Sequence, residues 1–289
     1  MRLLWRAKTA LNHLLRPLNM HLDSCTADRV ETARLADLLR IGHFSRPIFA
    51  IPDQFSRCDP TPVFDALEKY GPQLERFNTK FEPDQFSFAN DYYTSPDAEV
   101  LYAMVRLHRP RCIIEVGSGH STLLFRQAIA DSGLPTRLIA IDPDPRREIA
   151  RHADEVILER IETLDAVQLF SRLERNDMLF IDSSHQIKPG NDVVHLFLNV
   201  LPSLATGVIV HVHDIFLPFE YPHEWVAEQR WNWTEQYLLQ ALLQGSNEFD
   251  VLWAGHYLQQ FMSGFTDAFR FWRGGDARSV WLRRVRSDN

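Results

Sequence analysis

The chain has 289 residues and a formal net charge of −7, with 31 Lys and Arg against 38 Asp and Glu. This balance excludes a generally basic nucleic-acid-binding protein. With 45% hydrophobic and 24% charged residues, the composition is that of an ordinary globular protein with a sizeable core. Cys25, Cys58 and Cys112 form no C-x-x-C pair, and no apolar run is long enough to span a membrane. We therefore expect a soluble protein of a reducing compartment, the cytoplasm.

The first 20 residues mix leucines with basic residues in a pattern that predicts an amphipathic helix. The segment lacks the uninterrupted apolar centre and the small-residue cleavage site of a signal peptide. We expect its leucines to pack on the body of the protein. Three alternatives are that the helix lies on an anionic membrane surface, that it forms a contact between the subunits of a homo-oligomer and that it acts as a lid.

The chain changes character near residue 91. Before this point, a helical pattern covers 28–40 and is followed by a stretch that six prolines interrupt. After it, Ser95-Pro96-Asp97 predicts the start of a helix that runs to about His108, with Ser95 as N-cap and a proline at the first helical position. We therefore predict an N-terminal helical extension over residues 1–90 and one α/β domain over residues 91–289.

Short apolar segments follow one another along this second part of the chain. They are nearly continuous rather than alternating, which is typical of strands buried on both faces of a parallel sheet. Helical patterns at 121–131, 145–152, 163–173 and 191–201 lie between the first five, and a helix near 224–244 precedes the last two. The series predicts an α/β fold with a doubly wound, mostly parallel seven-stranded sheet. The predicted strands are Cys112–Val116, Arg137–Ile141, Glu155–Leu158, Met178–Ile181, Gly207–Val212, Phe249–Trp253 and Ser279–Val285.

A glycine loop follows the first strand, at the sheet edge where ligands of open parallel sheets bind. It reads Glu115-Val116-Gly117-Ser118-Gly119-His120-Ser121-Thr122. The two glycines allow a tight turn close to a ligand, while Ser121 and Thr122 can cap the next helix. A dinucleotide fingerprint requires a third glycine where Thr122 stands, which argues against NAD. Asp142 ends the second strand, where its carboxylate can accept protons from both hydroxyls of a ribose.

These motifs, E-V-G-S-G-H-S-T followed by I-D-P-D-P, resemble the class I S-adenosylmethionine-dependent methyltransferases, especially their catechol-type and cephalosporin-hydroxylase-like branch. The resemblance covers about 95–285 and continues through DMLFIDSSH at Asp177–His185 and VIVHVHD at Val208–Asp214. It implies a Rossmann-like methyltransferase fold that binds S-adenosylmethionine. The residues implied to bind the cofactor are Glu115, Gly117, Ser118, Gly119, Ser121 and Thr122 in the loop, Asp142 at the ribose, Asp182 after the fourth strand and, near the adenine, residues 161–163.

A second polar cluster is predicted where the fourth and fifth strands end. Asp182 and His185 follow the fourth strand, and His211, His213 and Asp214 end the fifth, with His211 and His213 on one face by alternation. Oxygen and imidazole ligands suit Mg, Mn, Fe or Zn. The resemblance implies that Asp182, His213 and Asp214 hold Mg or another divalent cation, although His213 stands where the family has an acid or an amide. Without a metal, His185 or His213 would act as the general base.

The segment from Asp214 to Tyr237 is rich in aromatic residues. Its rings suit a planar or sugar-like acceptor, or they pack as core or as a subunit contact. We therefore predict an O-methyltransferase that acts on a hydroxyl of a small-molecule or saccharide acceptor and binds no nucleic acid. One alternative is a metallohydrolase that uses Asp182, His185, His213 and Asp214. The other is a non-catalytic binding module on the same fold.

Overall fold

The computed structural model describes residues 2–78, 84–146 and 149–285, and its centre is one seven-stranded sheet. The strands are β1 Cys112–Val116, β2 Arg137–Ile141, β3 Glu155–Ile157, β4 Met178–Ile181, β5 Ile209–Val212, β6 Phe249–Ala254 and β7 Val280–Arg284. They lie in the order β3-β2-β1-β4-β5-β7-β6. The first five are parallel, and β7 pairs antiparallel with both β5 and β6. The predicted doubly wound, mostly parallel sheet is confirmed, with strand bounds within two residues of those expected.

Helices cover both faces of this sheet, as continuous apolar strands require. The helices are α1 Arg2–Leu15, α2 Thr26–Arg40, α3 Asp53–Ser56, α4 Thr61–Leu74, α5 Asp97–His108, α6 His120–Ser132, α7 Ala166–Phe170, α8 Asp192–His195, α9 Leu201–Ser203, α10 Glu235–Gly245 and α11 Gly255–Phe261. A π-helical turn at Leu196–Val200 joins α8 to α9. On one face of the sheet, α4, α5 and α6 share a core with the side chains of Ile113, Phe180 and Trp281. On the other face, α7, α10 and the helical segment 192–203 pack on Ile114, Leu179 and their neighbours.

Three of the predicted helices differ from the observed ones. The helix predicted at 145–152 is absent from the described residues of that range, which form bends and turns. The helix predicted at 224–244 is interrupted, because Arg230 and Asn232 adopt positive φ and α10 begins only at Glu235. The helix predicted from Ser95 begins at Asp97, and the Ser95 hydroxyl donates to the Glu99 carboxylate instead of capping.

The N-terminal segment departs from the expectation that its leucines pack on the body. Helix α1 does form, but Leu11 and Leu14 are exposed, and Leu35 is the one buried side chain of α2. Helix α4, by contrast, belongs to the same core as α5, so the part of the predicted extension around α4 is integral to the fold. None of the helices in the described ranges has the length and apolar character that crossing a membrane requires.

The order of strands fixes where a ligand site can form. Strands β1 and β4 are neighbours in the sheet, while β2 and β3 extend from one side of β1 and β5 from the other side of β4. Such a reversal of strand order opens a crevice beyond the carboxyl ends of the central strands. The backbone connects these ends directly, because Asp182 N–H donates to the Val116 carbonyl and His213 N–H to the Ile181 carbonyl. The glycine loop and the polar cluster therefore share one edge.

Candidate active site

The glycine loop is shaped by its two glycines in different ways. Gly117 has φ +82°, and a Cβ at this position would lie 1.9 Å from the carbonyl oxygen of Asp182. Only glycine therefore allows β1 to turn this close to the end of β4. Gly119 is extended, with φ 171°, and a Cβ there would meet nothing within 4 Å. Open space thus lies beside Gly119 at the start of α6.

Glu115 supports this loop from the inside. Its carboxylate is fully buried and accepts hydrogen bonds from Ser121 Oγ at 2.5 Å and Thr122 Oγ1 at 2.6 Å. Thr122 Oγ1 also accepts from the Gly119 N–H at 3.0 Å, so it caps the start of α6 as expected. Burial raises the pKa of Glu115 to about 8. These three side chains hold the loop in shape, and their direct contact with a cofactor stays a prediction.

Asp142 ties the end of β2 to the same loop. Its Oδ2 accepts from Ser118 N at 2.9 Å and from Ser118 Oγ at 3.0 Å, and its Oδ1 accepts from Asp144 N at 2.9 Å. The carboxylate is half-buried and retains lone pairs for further donors. An acid at the end of β2 beside the open space at Gly119 fits the ribose hydroxyls of S-adenosylmethionine. Residues 161–163 form a helical turn in which Ile161 is buried. Their contact with an adenine stays a prediction.

The second cluster is centred on His185. Its Nε2 lies 3.3 Å from Asp182 Oδ1 and 3.5 Å from Asp214 Oδ2, and its Nδ1 lies 2.9 Å from Glu235 Oε2. Both His185 and Asp214 adopt positive φ, which turns their side chains into the space beyond the strand ends. Helix α10 begins against this turn, because the N–H groups of Thr234 and Glu235 donate to the His185 carbonyl. One possible ligand atom from each of Asp182, His185 and Asp214 lies within 4.8 Å of the others.

The carboxylates around His185 decide its charge. Burial by itself would lower the pKa of this imidazole, but Asp182 and Glu235 hold it well above its ordinary value. Burial would likewise raise the pKa of Asp182, yet the neighbouring His213 and His185 rings hold it below the usual range. In the absence of a cation, His185 is therefore an imidazolium held among carboxylates, and both of its ring nitrogens are engaged.

His211 and His213 lie on β5 and just after its end, and His213 Nε2 is 3.7 Å from Asp214 Oδ1. Their rings are 5.5 Å apart and nearly parallel, which confirms that they share one face of β5. His211 stacks on Phe180 at 3.8 Å, and burial lowers its pKa well below the usual value, so it is a neutral core side chain. His213 packs on Tyr93 at 4.9 Å, and within the described residues its ring nitrogens have no hydrogen-bond partner. The structure thus groups His185, rather than His213, most closely with Asp182 and Asp214.

Arg278 enters the cluster from the start of β7. Its Nη1 lies 2.9 Å from Asp214 Oδ1, and its side chain is mostly buried. Asp97 of α5 positions it, because the Asp97 carboxylate accepts from Arg278 N at 2.9 Å and from Ser279 N at 3.1 Å. Neither Arg278 nor Glu235 carried a sequence signal, since each is brought to the site only by packing of distant segments.

Three tryptophans form a wall beside His185. The ring centroids of Trp225, Trp231 and Trp233 lie 4.7 to 4.9 Å apart, and the Trp233 ring is 4.4 Å from the His185 ring. Trp231 is 39% exposed. Other rings of the aromatic segment are core, as Phe216 and Tyr221 are buried. The interruption before α10 is therefore what turns aromatic residues toward the polar cluster.

The loop after β4 is held by Asp192. Its carboxylate accepts from Ser184 N at 2.8 Å and from Ser184 Oγ at 2.6 Å. The N-cap of α8 is the neighbouring Asn191, whose side chain accepts from Val194 N at 3.3 Å. Asp192 therefore fixes the path of the chain between Asp182 and α8 through side-chain hydrogen bonds.

The chain is similar to one known protein family and to several solved structures. Residues 114–215 match a family described as a methyltransferase domain. Among solved structures, the chain is similar to the SAH-bound methyltransferase PaMTH1 of Podospora anserina, at 15% identity over 92% of this chain and 98% of that chain, with a TM-score of 0.43. It is also similar to the Bacillus cereus O-methyltransferase in complex with SAH, at 16% identity over 76% of this chain and 91% of that chain, with a TM-score of 0.39. A CmcI structure with Mg and SAM is 18% identical over 72% of this chain and 79% of that chain, with a TM-score of 0.41. No curated protein matches the chain.

The family match begins in β1 and ends just after β5, so it contains the glycine loop, Asp142 and the ends of β4 and β5. It favours a methyltransferase over the metallohydrolase, because a metallohydrolase does not account for the glycine loop and Asp142. The motifs and the strand order of this region agree with the methyltransferase domain that residues 114–215 match.

Proposed function

We propose that the protein methylates a hydroxyl oxygen of a small-molecule acceptor and that the acceptor binds between the glycine loop and the tryptophan wall. The observation that carries this proposal is the cluster of Asp182, His185 and Asp214 directly beside the loop, where Asp182 follows the strand next to β1. Oxygen acceptors must lose a proton as they accept the methyl group. A cluster of carboxylates and imidazoles at that place can position and deprotonate a hydroxyl.

The cofactor would be held by residues already in place for it. S-adenosylmethionine supplies an electrophilic methyl group on its sulfonium. Asp142 would accept hydrogen bonds from the ribose hydroxyls, and Gly119 would leave room beside the loop, while Gly117 would keep the loop close to the end of β4. Glu115, Ser121 and Thr122 would keep the loop and the start of α6 in register through their buried hydrogen bonds.

We further propose that Asp182, His185 and Asp214 hold a divalent cation, with Mg or Mn as the expected ion. Two carboxylates and one imidazole are a donor set that such ions accept. Glu235 would accept the Nδ1 proton of His185 and so fix its Nε2 toward the cation, as carboxylates commonly do for histidine ligands. Bound there, a cation lowers the pKa of an acceptor hydroxyl. In its absence, Arg278 neutralises Asp214.

Of the two predicted general bases, the proposal favours His213. Both ring nitrogens of His185 face carboxylates, whereas His213 has unpartnered ring nitrogens within the described residues and lies 3.7 Å from Asp214 Oδ1. An imidazole nitrogen without another partner is able to take up the proton of an acceptor hydroxyl. His213→Asn should therefore reduce turnover and change its pH profile while the affinity for S-adenosylhomocysteine stays within a few-fold of wild type.

The tryptophan wall favours a cyclic acceptor, either an aromatic ring or a saccharide. Flat indole faces bind both kinds of ring through large apolar contact, and Trp231 exposes part of its surface. Trp231→Ala should raise the KM for such an acceptor more than it lowers kcat. Equal KM values for the variant and wild type would remove this wall from the acceptor site.

The function is tested first by ligand-induced stabilisation and then by product analysis. Thermal unfolding is followed with S-adenosylmethionine, S-adenosylhomocysteine and NAD, each with and without Mg or Mn. A ligand at 100 times its dissociation constant stabilises the fold by about 2.7 kcal/mol, a readable shift. We expect the S-adenosyl ligands, and not NAD, to shift the midpoint. The purified protein is then given methyl-labelled cofactor with phenolic and glycoside acceptors; label found on nitrogen or sulfur alone would overturn O-methylation.

The cation is tested separately, by calorimetric titration with Mn. Asp182→Asn should abolish Mn binding and leave S-adenosylhomocysteine binding largely intact. Glu159→Gln is the matched control, because Glu159 is an exposed acid away from the cluster. Equal Mn affinity in wild type and Asp182→Asn would refute the cation site without touching the methyltransferase assignment.

A further inference from the structure

We infer that the N-terminal segment, residues 2–22, docks on an anionic lipid surface. The first observation is an unpartnered apolar stripe. Leu11, Leu14 and Leu18 are exposed, and with Leu15 they follow the spacing that places side chains on one face of a helix. Leu14 is 72% and Leu18 68% exposed. A stripe of this kind in water is unfavourable unless another apolar surface covers it.

The second observation is the charge of the same segment. Residues 1–22 contain Arg2, Arg6, Lys8 and Arg16 and no Asp or Glu, although the whole chain carries −7. Positive charge is thus concentrated in the part of the chain that carries the apolar stripe. A helix with leucines on one face and basic residues elsewhere binds in the plane of a membrane, where anionic headgroups attract the basic residues and the leucines enter the acyl boundary.

The third observation is that the segment is ordered by its own contacts. The Asn12 side chain donates to the Leu22 carbonyl at 2.8 Å and accepts from Leu22 N at 2.5 Å. Lys8 forms an ion pair with Asp23 at the end of the segment. Met20 and Leu22 are exposed as well, which extends the apolar surface beyond α1. The N-terminal segment is therefore held together by its own contacts, and its apolar side chains are exposed.

An anionic lipid surface fits this segment better than a second copy of the chain does. The stripe is a single convex row, which a fluid bilayer can cover without a matching groove. The acidic remainder of the chain is repelled by the same headgroups, so only the N-terminal segment is expected to enter the bilayer. A contact between subunits is the competing outcome of the experiment.

The experiment is co-sedimentation of the full-length protein with lipid vesicles. Phosphatidylcholine vesicles are compared with vesicles that also contain phosphatidylglycerol. We expect binding to the anionic vesicles only, and weaker binding as salt rises from about 0.1 to about 1 M, because the Debye length falls from roughly 10 to roughly 3 Å. Leu14→Glu should weaken binding by roughly tenfold or more, since it places a charge in the stripe.

Val30→Glu is the matched control. Val30 lies on α2 and is 66% exposed, close to the value for Leu14, so it tests whether any charge on an exposed apolar residue has the same effect. It should bind like wild type, and both variants should unfold at the wild-type temperature. Equal binding to both kinds of vesicle, or none, would overturn the inference. So would a wild-type dimer in light scattering that Leu14→Glu converts to a monomer without any vesicle binding.

Discussion

The two loop glycines allow the role of the fold to be separated from the role of the ligand. Alanine at Gly117 would place its Cβ 1.9 Å from the Asp182 carbonyl oxygen at a φ of +82°. Alanine at Gly119 would place its Cβ in open space on an extended backbone. The same chemical change, one methyl group, therefore meets backbone in one case and only solvent or cofactor in the other.

The expected magnitudes follow from these two environments. The left-handed conformation costs a residue with a Cβ about 1 kcal/mol. Relief of the overlap between the loop and β4 adds about 1–3 kcal/mol, as other overpacked sites do. Gly117→Ala should thus reduce the free energy of unfolding by about 2–4 kcal/mol, which lowers Tm by roughly 3–7 °C in a chain of this size. Gly119→Ala should change Tm by less than about 2 °C, since surface substitutions stay within about 0.5 kcal/mol.

The two variants are compared by urea unfolding and by calorimetric titration with S-adenosylhomocysteine. Gly119→Ala should keep its stability and lose at least tenfold in affinity, because the methyl group occupies the space proposed for the cofactor. If Gly117→Ala unfolds at the wild-type urea concentration, the close approach of β1 to β4 is not what requires glycine there. If Gly119→Ala binds the ligand like wild type, the cofactor lies elsewhere along the edge.

Three further outcomes are expected. Asp142→Ala should raise the dissociation constant of S-adenosylhomocysteine about tenfold, because it removes the carboxylate that accepts from the ribose hydroxyls. Asp144 is an exposed acid in the same loop, and Asp144→Ala should leave this constant unchanged. Equal effects of the two variants in calorimetry would reject the ribose role. Burial raises the pKa of Glu99 to about 7, so Glu99 should lower the free energy of unfolding as pH rises from about 4.5 to 7, by about 3 kcal/mol at most. The free energy of unfolding of Glu99→Gln should therefore fall less over this range than that of wild type, and parallel pH profiles of the two proteins in urea unfolding would contradict this prediction. Arg278→Met removes the guanidinium group that is paired with Asp214. It should tighten Mn binding and lower the free energy of unfolding by about 3–5 kcal/mol. Unchanged Mn affinity would show that the guanidinium does not compete with the metal for the Asp214 carboxylate.

The parallel core could be predicted from the sequence because each strand is encoded locally. Buried parallel strands need continuous apolar residues, and β1, β2 and β4 were predicted residue for residue. The helix predicted near 224–244 was wrong, because the loop geometry before α10 interrupts its local helical pattern. The residues around Arg230 and Asn232 have helical composition, yet positive φ at both positions ends the helical turn and presents the tryptophans to the site.

The arrangement of the polar cluster could likewise be predicted only in part from local sequence. Strand alternation correctly placed His211 and His213 on one face, but it could not determine which imidazole lies among the carboxylates. Positive φ at His185 and Asp214 turns those two side chains together, and α10 supplies Glu235 from 50 positions along the chain. Arg278 arrives through the antiparallel β7, which the Asp97 carboxylate holds against α5.

By itself, the sequence determined the fold class, the glycine loop and the acidic residue after β2, since these depend on short stretches with strong conformational requirements. Only the tertiary structure decided that His185 is held by three carboxylates, that Trp233 packs against it and that Leu11 and Leu14 of α1 remain exposed. These properties depend on contacts between residues distant in sequence, or on the lack of such contacts in the described part of the chain. An amphipathic pattern specifies that a face needs an apolar partner, and the arrangement of the other elements determines whether the protein itself provides one.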